Sequence, residues 1–354
     1  MTRTTCSVNH MVAMLSLASL VVPAAVNAQI DHSTGFASNS DLKANGSASF
    51  TGGAAQLTNN FGQAGSVFTI NKQCISSFAT TFDFQQNPVD GSPSADGITF
   101  TAQSDPLGDA ALGAAGGSLG YLNGGFPGGI TNSVAVALDY GFNNFGEGLN
   151  STDLLFNGLL TGHVFLSPGG INLRDTHKKT VTLTYDSSTK VLTETIKDDT
   201  TNITFSNTYN SVDIPGNTGG NTAFVGFTGG TGAFASVQDI LDWTFVNPPP
   251  TISGVSVNPS SIWPPDQKLV DVTVNYGSSD PCSAPVCKLS VTSNEPGDGT
   301  EWVIVDAHHV QLRADRNGNG DGRTYTITIT CTDAAGNVSS STVIVSVAHD
   351  QGKG

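Results

Sequence analysis

Acidic and amide side chains set in glycine-rich turns are the residues of this chain best suited to chemistry. Asp96 stands in Ala95-Asp96-Gly97. A second run, Asp139-Tyr140-Gly141-Phe142-Asn143-Asn144-Phe145-Gly146-Glu147, mixes carboxylates, amides and open backbone. A carboxylate accepts hydrogen bonds from hydroxyl groups, an amide donates to them, and glycine lets backbone approach a ligand closely. The same oxygen types suit calcium, which takes six to eight of them at roughly 2.3–2.6 Å. The chemistry on offer is therefore recognition of a neutral hydroxylated ligand and of a hard cation. Zinc hydrolysis is not: the chain has no His-Glu-x-x-His. His308 and His309 are neighbours on an expected strand, so they point to opposite faces and chelate poorly. Asp315-Arg316-Asn317-Gly318-Asn319-Gly320-Asp321-Gly322 begins like a calcium loop, but its twelfth position is Thr326 rather than Glu. It reads as a hairpin turn.

The chain that must position these groups has 354 residues, only 12% of them charged, and 41 glycines. That length suits about two domains. With 14 basic and 29 acidic side chains the net charge is −15. A nucleic-acid partner would need a basic footprint, so none is expected. Residues 1–28 read as a signal peptide. Arg3 precedes the apolar run Met11–Val22, Pro23 breaks it, and Val26-Asn27-Ala28 offers a cleavage point. The run is short for a bilayer, and no later segment is apolar enough to span one. A secreted or extracellular protein is expected, in a compartment that permits disulfides.

Period-2 alternation recurs throughout, with no long helical period. Thr80, Phe82 and Phe84 share one face, and Thr81, Asp83 and Gln85 the other. Val181, Leu183 and Tyr185 alternate with threonines, as do Tyr325, Ile327, Ile329 and Cys331. β-Branched and aromatic residues fit a pleated, half-buried surface. The fold class is all-β, as two antiparallel sandwiches. They span 30–247 and 252–349 and are joined by a proline linker at 248–251, where Pro248, Pro249 and Pro250 favour an extended, semi-rigid spacer.

Six blocks within the first sandwich carry a family resemblance. They are Phe82-Asp83-Phe84-Gln85, Ala95-Asp96-Gly97-Ile98-Thr99-Phe100, Gly116-Gly117-Ser118-Leu119-Gly120-Tyr121, Val134-Ala135-Val136-Ala137-Leu138-Asp139, Val225-Gly226-Phe227-Thr228-Gly229-Gly230-Thr231-Gly232 and Ile240-Leu241-Asp242-Trp243-Thr244-Phe245. In this order they resemble the legume-type (L-type) lectin domain, in the branch found in secreted bacterial proteins. The resemblance implies a concanavalin-like jelly roll with a shallow carbohydrate site on one sheet. It implies an Asp after a cis peptide that accepts from sugar hydroxyls, which falls on Asp96. It implies a donating glycine amide, here Gly117, and an Asn that holds calcium and also touches sugar, here Asn144 beside Phe142. The variable loop after Thr231-Gly232 brings Ala233 and Phe234. Calcium would be held by Asp139, the Phe142 carbonyl, Asn144 and Glu147, with one residue inserted after Asp139; without that insertion Asn143 takes the amide role. Asn150 reads chiefly as loop structure.

The sequence also departs from the family. Ala137 stands where the family has Glu, and no His matches, His163 lying too far along. A transition metal, which wants imidazole and carboxylate together, is therefore not expected. Glucanases share this sandwich, but their paired carboxyls alternate along one strand. Here that face reads Ala137, Asp139, Gly141, with one acid. The reading is a lectin without catalysis. The alternative is a structural or adhesive surface protein whose sugar site has decayed. Because related lectins often pair through their sheets, a homo-oligomer stays open.

The second sandwich resembles a bacterial immunoglobulin-like module, with Asp333-Ala334-Ala335-Gly336-Asn337 as its late turn. Cys287 shares a face with Leu289 and Val291, and Cys331 with Ile327 and Ile329. An inter-sheet bridge Cys287–Cys331 is favoured, with Cys282–Cys287 as its rival, and Cys74 is left as a buried thiol.

Overall fold

The computed structural model describes residues 29–124, 126–141, 150–320 and 322–348. The expected signal peptide, the tail beyond 348, Asp321 and the run from Phe142 to Leu149 lie outside the described residues.

Strands dominate, as alternation requires. The first half builds two facing eight-stranded sheets. One runs in the order Thr204–Tyr209, Val191–Asp198, Lys179–Asp186, Ser77–Pro88, Ser236–Val246, Ala54–Thr58, Ser49–Thr51, with Ile30–His32 also on Ser236–Val246. The other runs Leu159–Phe165, Ser151–Phe156, Ser133–Asp139, Gly97–Gln103, Thr222–Gly230, Ala64–Thr69, Leu42–Gly46, with Gln73–Cys74 also on Thr222–Gly230. Strands at one edge of each sheet follow one another as hairpins, whereas the central neighbours, such as Ser77–Pro88 with Ser236–Val246 and Gly97–Gln103 with Thr222–Gly230, are far apart in sequence. Two four-stranded sheets follow, built from Thr251 to Val347. Among the described residues the only α-helix is Ile214–Thr218.

Aromatic packing locks the two large sheets together. Phe82 meets Phe227 edge-on at 4.8 Å, and Phe227 meets Trp243 edge-on at 5.0 Å. These are favoured ring geometries, and all three rings are buried. The one polar atom of Trp243 is satisfied, since its Nε1 donates to Thr80 Oγ1 at 2.8 Å. Outward positions carry hydroxyl pairs instead, such as Thr81 with Thr182 at 3.0 Å. Strands Gly97–Gln103 and Ser133–Asp139 are buried on both faces, because the segment holding Leu119, Tyr121 and Ile130 covers their outer side.

An acid breaks the apolar phase in mid-strand. Along Val191–Asp198 the buried residues are Leu192, Glu194, Ile196 and, at the strand end, Asp198. Glu194 is fully buried, and its carboxyl accepts from Thr152 Oγ1 at 2.8 Å and from Tyr209 OH at 3.1 Å. Loss of hydration pushes its pKa from 4.5 up to about 7, with the two hydroxyl donors opposing the rise.

The cysteines correct two sequence expectations. Cys287 and Cys331 are bonded, but they face each other in register on adjacent strands of one sheet, so the bridge is not inter-sheet. Cys74 is no free thiol; it is bonded to Cys282 across 208 residues. The link joins the strand Gln73–Cys74 of the first half to the loop before Val286–Ser293 in the second. Around it, Asn221 Nδ2 donates to Pro281 O at 3.3 Å, and Asn337 Nδ2 donates to Asn247 O at 3.3 Å. The Asp333 turn is present, with Asp333 Oδ1 accepting from Asn337 N at 2.8 Å. The expected turn at Asp315 is bound to the strands beside it: Asn317 N donates to Glu295 Oε2 at 2.7 Å, and Arg323 pairs with the same carboxylate at 3.3 Å.

Two outcomes follow. Peptide mapping of the non-reduced protein should recover Cys74 linked to Cys282 and Cys287 linked to Cys331; a Cys282–Cys287 peptide would contradict the pairing. The second concerns Glu194. Its folded pKa lies above its unfolded value, so the stability tied to its proton is complete below about pH 4.5 and is lost as pH rises through about 7. The gap corresponds to about 3 kcal/mol. Glu194→Gln, which keeps the shape without the charge, should therefore melt several degrees above the parent at pH 8 and near it at pH 5. A constant difference across that range would contradict the buried acid.

Candidate functional site

The site begins with a row of register. Gly97 pairs with Gly230 on one side and with Asp139 on the other, and Asp139 pairs with Ser151. The loops that enter or leave these strands must therefore crowd together at one end of the sheet. Main-chain hydrogen bonds stitch them. Asp96 N donates to Gly230 O at 3.0 Å, Tyr140 N to Asp96 O at 3.0 Å, and Gly116 N to Thr231 O at 2.9 Å. Gln238 adds a side-chain tie, with Nε2 donating to Gly230 O at 3.0 Å and Gly97 O at 3.2 Å.

Asp96 sits where these loops meet. The Ala95–Asp96 peptide is cis, as the family resemblance implies. The residue is 5% exposed, and its Oδ2 has no partner in the protein. Burial pushes its carboxyl up to about 6, while the Gly232 backbone N–H holds it back. Glycines make room for it. A Cβ on Gly141 would stand 2.7 Å from Asp96 Oδ1, and one on Gly232 would stand 3.2 Å from Asp96 Oδ2 and 3.3 Å from Gly116 Cα. Gly116 itself has φ +68°, open to glycine at little cost, and starts the short turn that carries Gly117.

The rim is apolar. Ala233 and Phe234 are exposed on the loop after Gly232. Phe61 is exposed as well, and its turn is tied to this loop: Gly62 N donates to Gly232 O at 3.1 Å, and Thr231 Oγ1 donates to Asn60 O at 2.6 Å. Sequence reading missed Phe61. An aromatic beside Asn-Asn and Gly was its only signal, and the tie to Gly232 spans the whole first half.

Asp96, Gly117 and the Ala233–Phe234 loop are thus brought together, and Asp139 lies beside them. Phe142, Asn144 and Glu147 fall outside the described residues. Asp139 is fully buried, and its Oδ1 accepts from Gly141 N at 3.1 Å. A buried carboxylate at a strand end fits a hard cation as one oxygen donor. Ala137 supplies no donor, but it faces Asp153 on the next strand, which the sequence reading did not single out. Asp153 is 1% exposed and accepts from Ser151 Oγ at 3.2 Å. His163 in turn faces Asp153, exposed and edge-on to Phe165 at 4.9 Å. Asn150 serves the loop: Nδ2 donates to Ile171 O at 2.8 Å, and Oδ1 accepts from Leu173 N at 2.6 Å.

Among the described residues, one group of acids and imidazole is close enough for a metal: Asp175, His177 and Asp198. Its cation is already in place. Lys179, 1% exposed, contacts Asp175 Oδ1 at 2.5 Å and Asp198 Oδ2 at 3.0 Å. Burial would raise the Asp198 carboxyl, but the Thr201 N–H, His177 and Lys179 hold it well below the usual carboxylate range. This is an ion-paired knot on the other sheet.

The same architecture recurs in solved lectins. A Bauhinia forficata lectin in complex with GalNAc superposes with a TM-score of 0.53 at 21% identity, over 65% of this chain and 99% of that one. Peanut lectin, with a nine-residue peptide, gives 0.51 at 21% identity, over 60% and 93%. Lectin I-B4 from Griffonia simplicifolia, in metal-free form, gives 0.51 at 22% identity, over 60% and 95%. Residues 32–256 match the legume lectin domain along most of the first half, and the chain belongs to that family.

Proposed function

We propose that this chain is an exported carbohydrate-binding protein whose single shallow site is built around Asp96. The observation that carries the reading is the Asp96 carboxyl, with one oxygen unpartnered and three glycine backbones packed against it. A sugar hydroxyl supplies the donor that this oxygen lacks. Gly117 presents a backbone amide, and Phe234 offers a ring for the apolar face of a pyranose. At neutral pH a carboxyl with a pKa of about 6 is mostly ionised, the state that accepts best.

In this reading Asp139, the Phe142 carbonyl, Asn144 and Glu147 hold calcium. Bound there, the ion would supply positive charge to balance the carboxylates, and Asn144 is the residue that the resemblance assigns to both ion and sugar. A transition metal is not part of the proposal, since Ala137 brings no oxygen. Nor is catalysis, because the strand face of Ala137, Asp139 and Gly141 presents one acid. The second pair of sheets is read as an immunoglobulin-like spacer or attachment module, and residues 1–28 as the export signal of a bacterial protein.

Ala137 also favours a second reading, in which the fold remains as a structural or adhesive surface with a decayed sugar site. A glycan array probed with calcium and then with chelator separates the two. Signal lost on chelation supports the lectin; a blank array from folded protein supports the scaffold. Asp96→Ala should weaken sugar binding by about a hundredfold or more, as loss of two charged hydrogen bonds implies. Its melting temperature should stay within a few degrees, because a buried carboxyl with an unpartnered oxygen adds little stability. Retained binding contradicts the assignment. Calcium should raise the melting temperature of the parent, and Asp139→Ala should remove that rise. An equal rise in both would place the ion elsewhere.

A further inference from the structure

The two pairs of sheets meet over a cleft of about 860 Å³, distinct from the Asp96 site. Phe78, Tyr185, Val246, Pro248, Pro249 and Pro281 give it an apolar lining. Proline contributes ring surface and no N–H donor. Each half of the chain sets one carboxylate on it, Asp186 from the first and Asp280 from the second. The Ser188 hydroxyl and N–H bond Asp186 Oδ1 at 2.8 and 2.9 Å and hold that carboxyl below its usual range. Asp280 Oδ1 accepts from the N–H groups of Cys282 and Ser283, each at 2.9 Å. Among the described residues that line the cleft there is no Lys, Arg or His.

A third acceptor belongs to the same wall. Asn247 is 3% exposed, and its Nδ2 donates to Cys74 O at 3.0 Å and to Ser77 O. Those two carbonyls fix which end of the amide is which. Its Oδ1 has no donor in the protein. A buried acceptor left unmatched costs free energy that a bound donor recovers. The Cys74–Cys282 bond ties the two walls beside this residue, so the cleft is a braced feature rather than a passing gap.

We propose that this cleft binds a small organic cation, an amine carried on an apolar ring, with its ammonium between Asp186 and Asp280. An ammonium has three donors and no acceptor, which suits acidic walls without a basic partner. The ring occupies the surface formed by the prolines, Phe78 and Tyr185, and Asn247 Oδ1 takes a further donor from the ligand or from a water it retains.

The test is a saturation-transfer NMR titration of the full chain with 3-phenylpropylamine, 3-phenylpropanol and 3-phenylpropanoate. These share a ring and differ in charge. The amine should bind about tenfold more tightly than the alcohol, with the carboxylate weakest, and the preference should shrink at high salt. Asp186→Asn with Asp280→Asn should abolish the preference without abolishing folding, checked by the melting curve. Asp96→Ala should leave amine binding unchanged, which keeps this result separate from the sugar site. Equal binding of all three compounds to the parent, or no binding of the amine at millimolar concentration, overturns the proposal even if the double variant fails to fold.

Discussion

Everything at the candidate site depends on one main-chain constraint: Gly97 must lie in register between Gly230 and Asp139. Backbone groups that are buried have to be paired. Three loops satisfy that demand with one another, through Asp96 N to Gly230 O, Tyr140 N to Asp96 O and Gly116 N to Thr231 O. A slip of one residue in the strand Gly97–Gln103 would turn its side chains over and separate these loops. Phe100 of that strand opposes the slip, because it packs edge-on to Phe227 at 5.7 Å and stacks with Phe82 at 6.2 Å in the buried core. Site and core are thus one arrangement seen at two depths.

Two acids show how the same physics yields different outcomes. Glu194 and Asp96 are both buried, and loss of hydration raises both pKa values, to about 7 and about 6. Glu194 has its donors inside the protein, from Thr152 and Tyr209, and so completes a core. Asp96 has one oxygen with no internal donor, and glycines rather than side chains around it. The first arrangement is finished without a ligand; the second is finished by one.

Much of the fold was legible before the structure. The alternation in Ser77–Pro88 and Lys179–Asp186 followed the expected faces, because a half-exposed strand writes its burial into its sequence. Asp96, Gly117 and the Phe234 loop were reached through block order and do converge. What escaped is non-local. Cys74 and Cys282 are 208 residues apart, and nothing near either one announces the other. Cys287 and Cys331 were paired correctly from their faces, but faces alone do not distinguish a neighbouring strand from an opposing sheet. Asp153 became notable only once register set it against Ala137. Glu194 did leave a signal, an acid in the phase of Leu192 and Ile196, which reading outward threonines obscures.

The central claim is that separate loops form one saccharide site with Asp96 at its centre. The most direct measurement is a crystal structure of the calcium-loaded protein with a saccharide that it binds. The account expects a pyranose hydroxyl within hydrogen-bond distance of the Asp96 carboxylate, the Gly117 amide against the same ring, and Phe234 at its edge. A saccharide seated elsewhere, with these loops unchanged and Asp96 untouched, would contradict it.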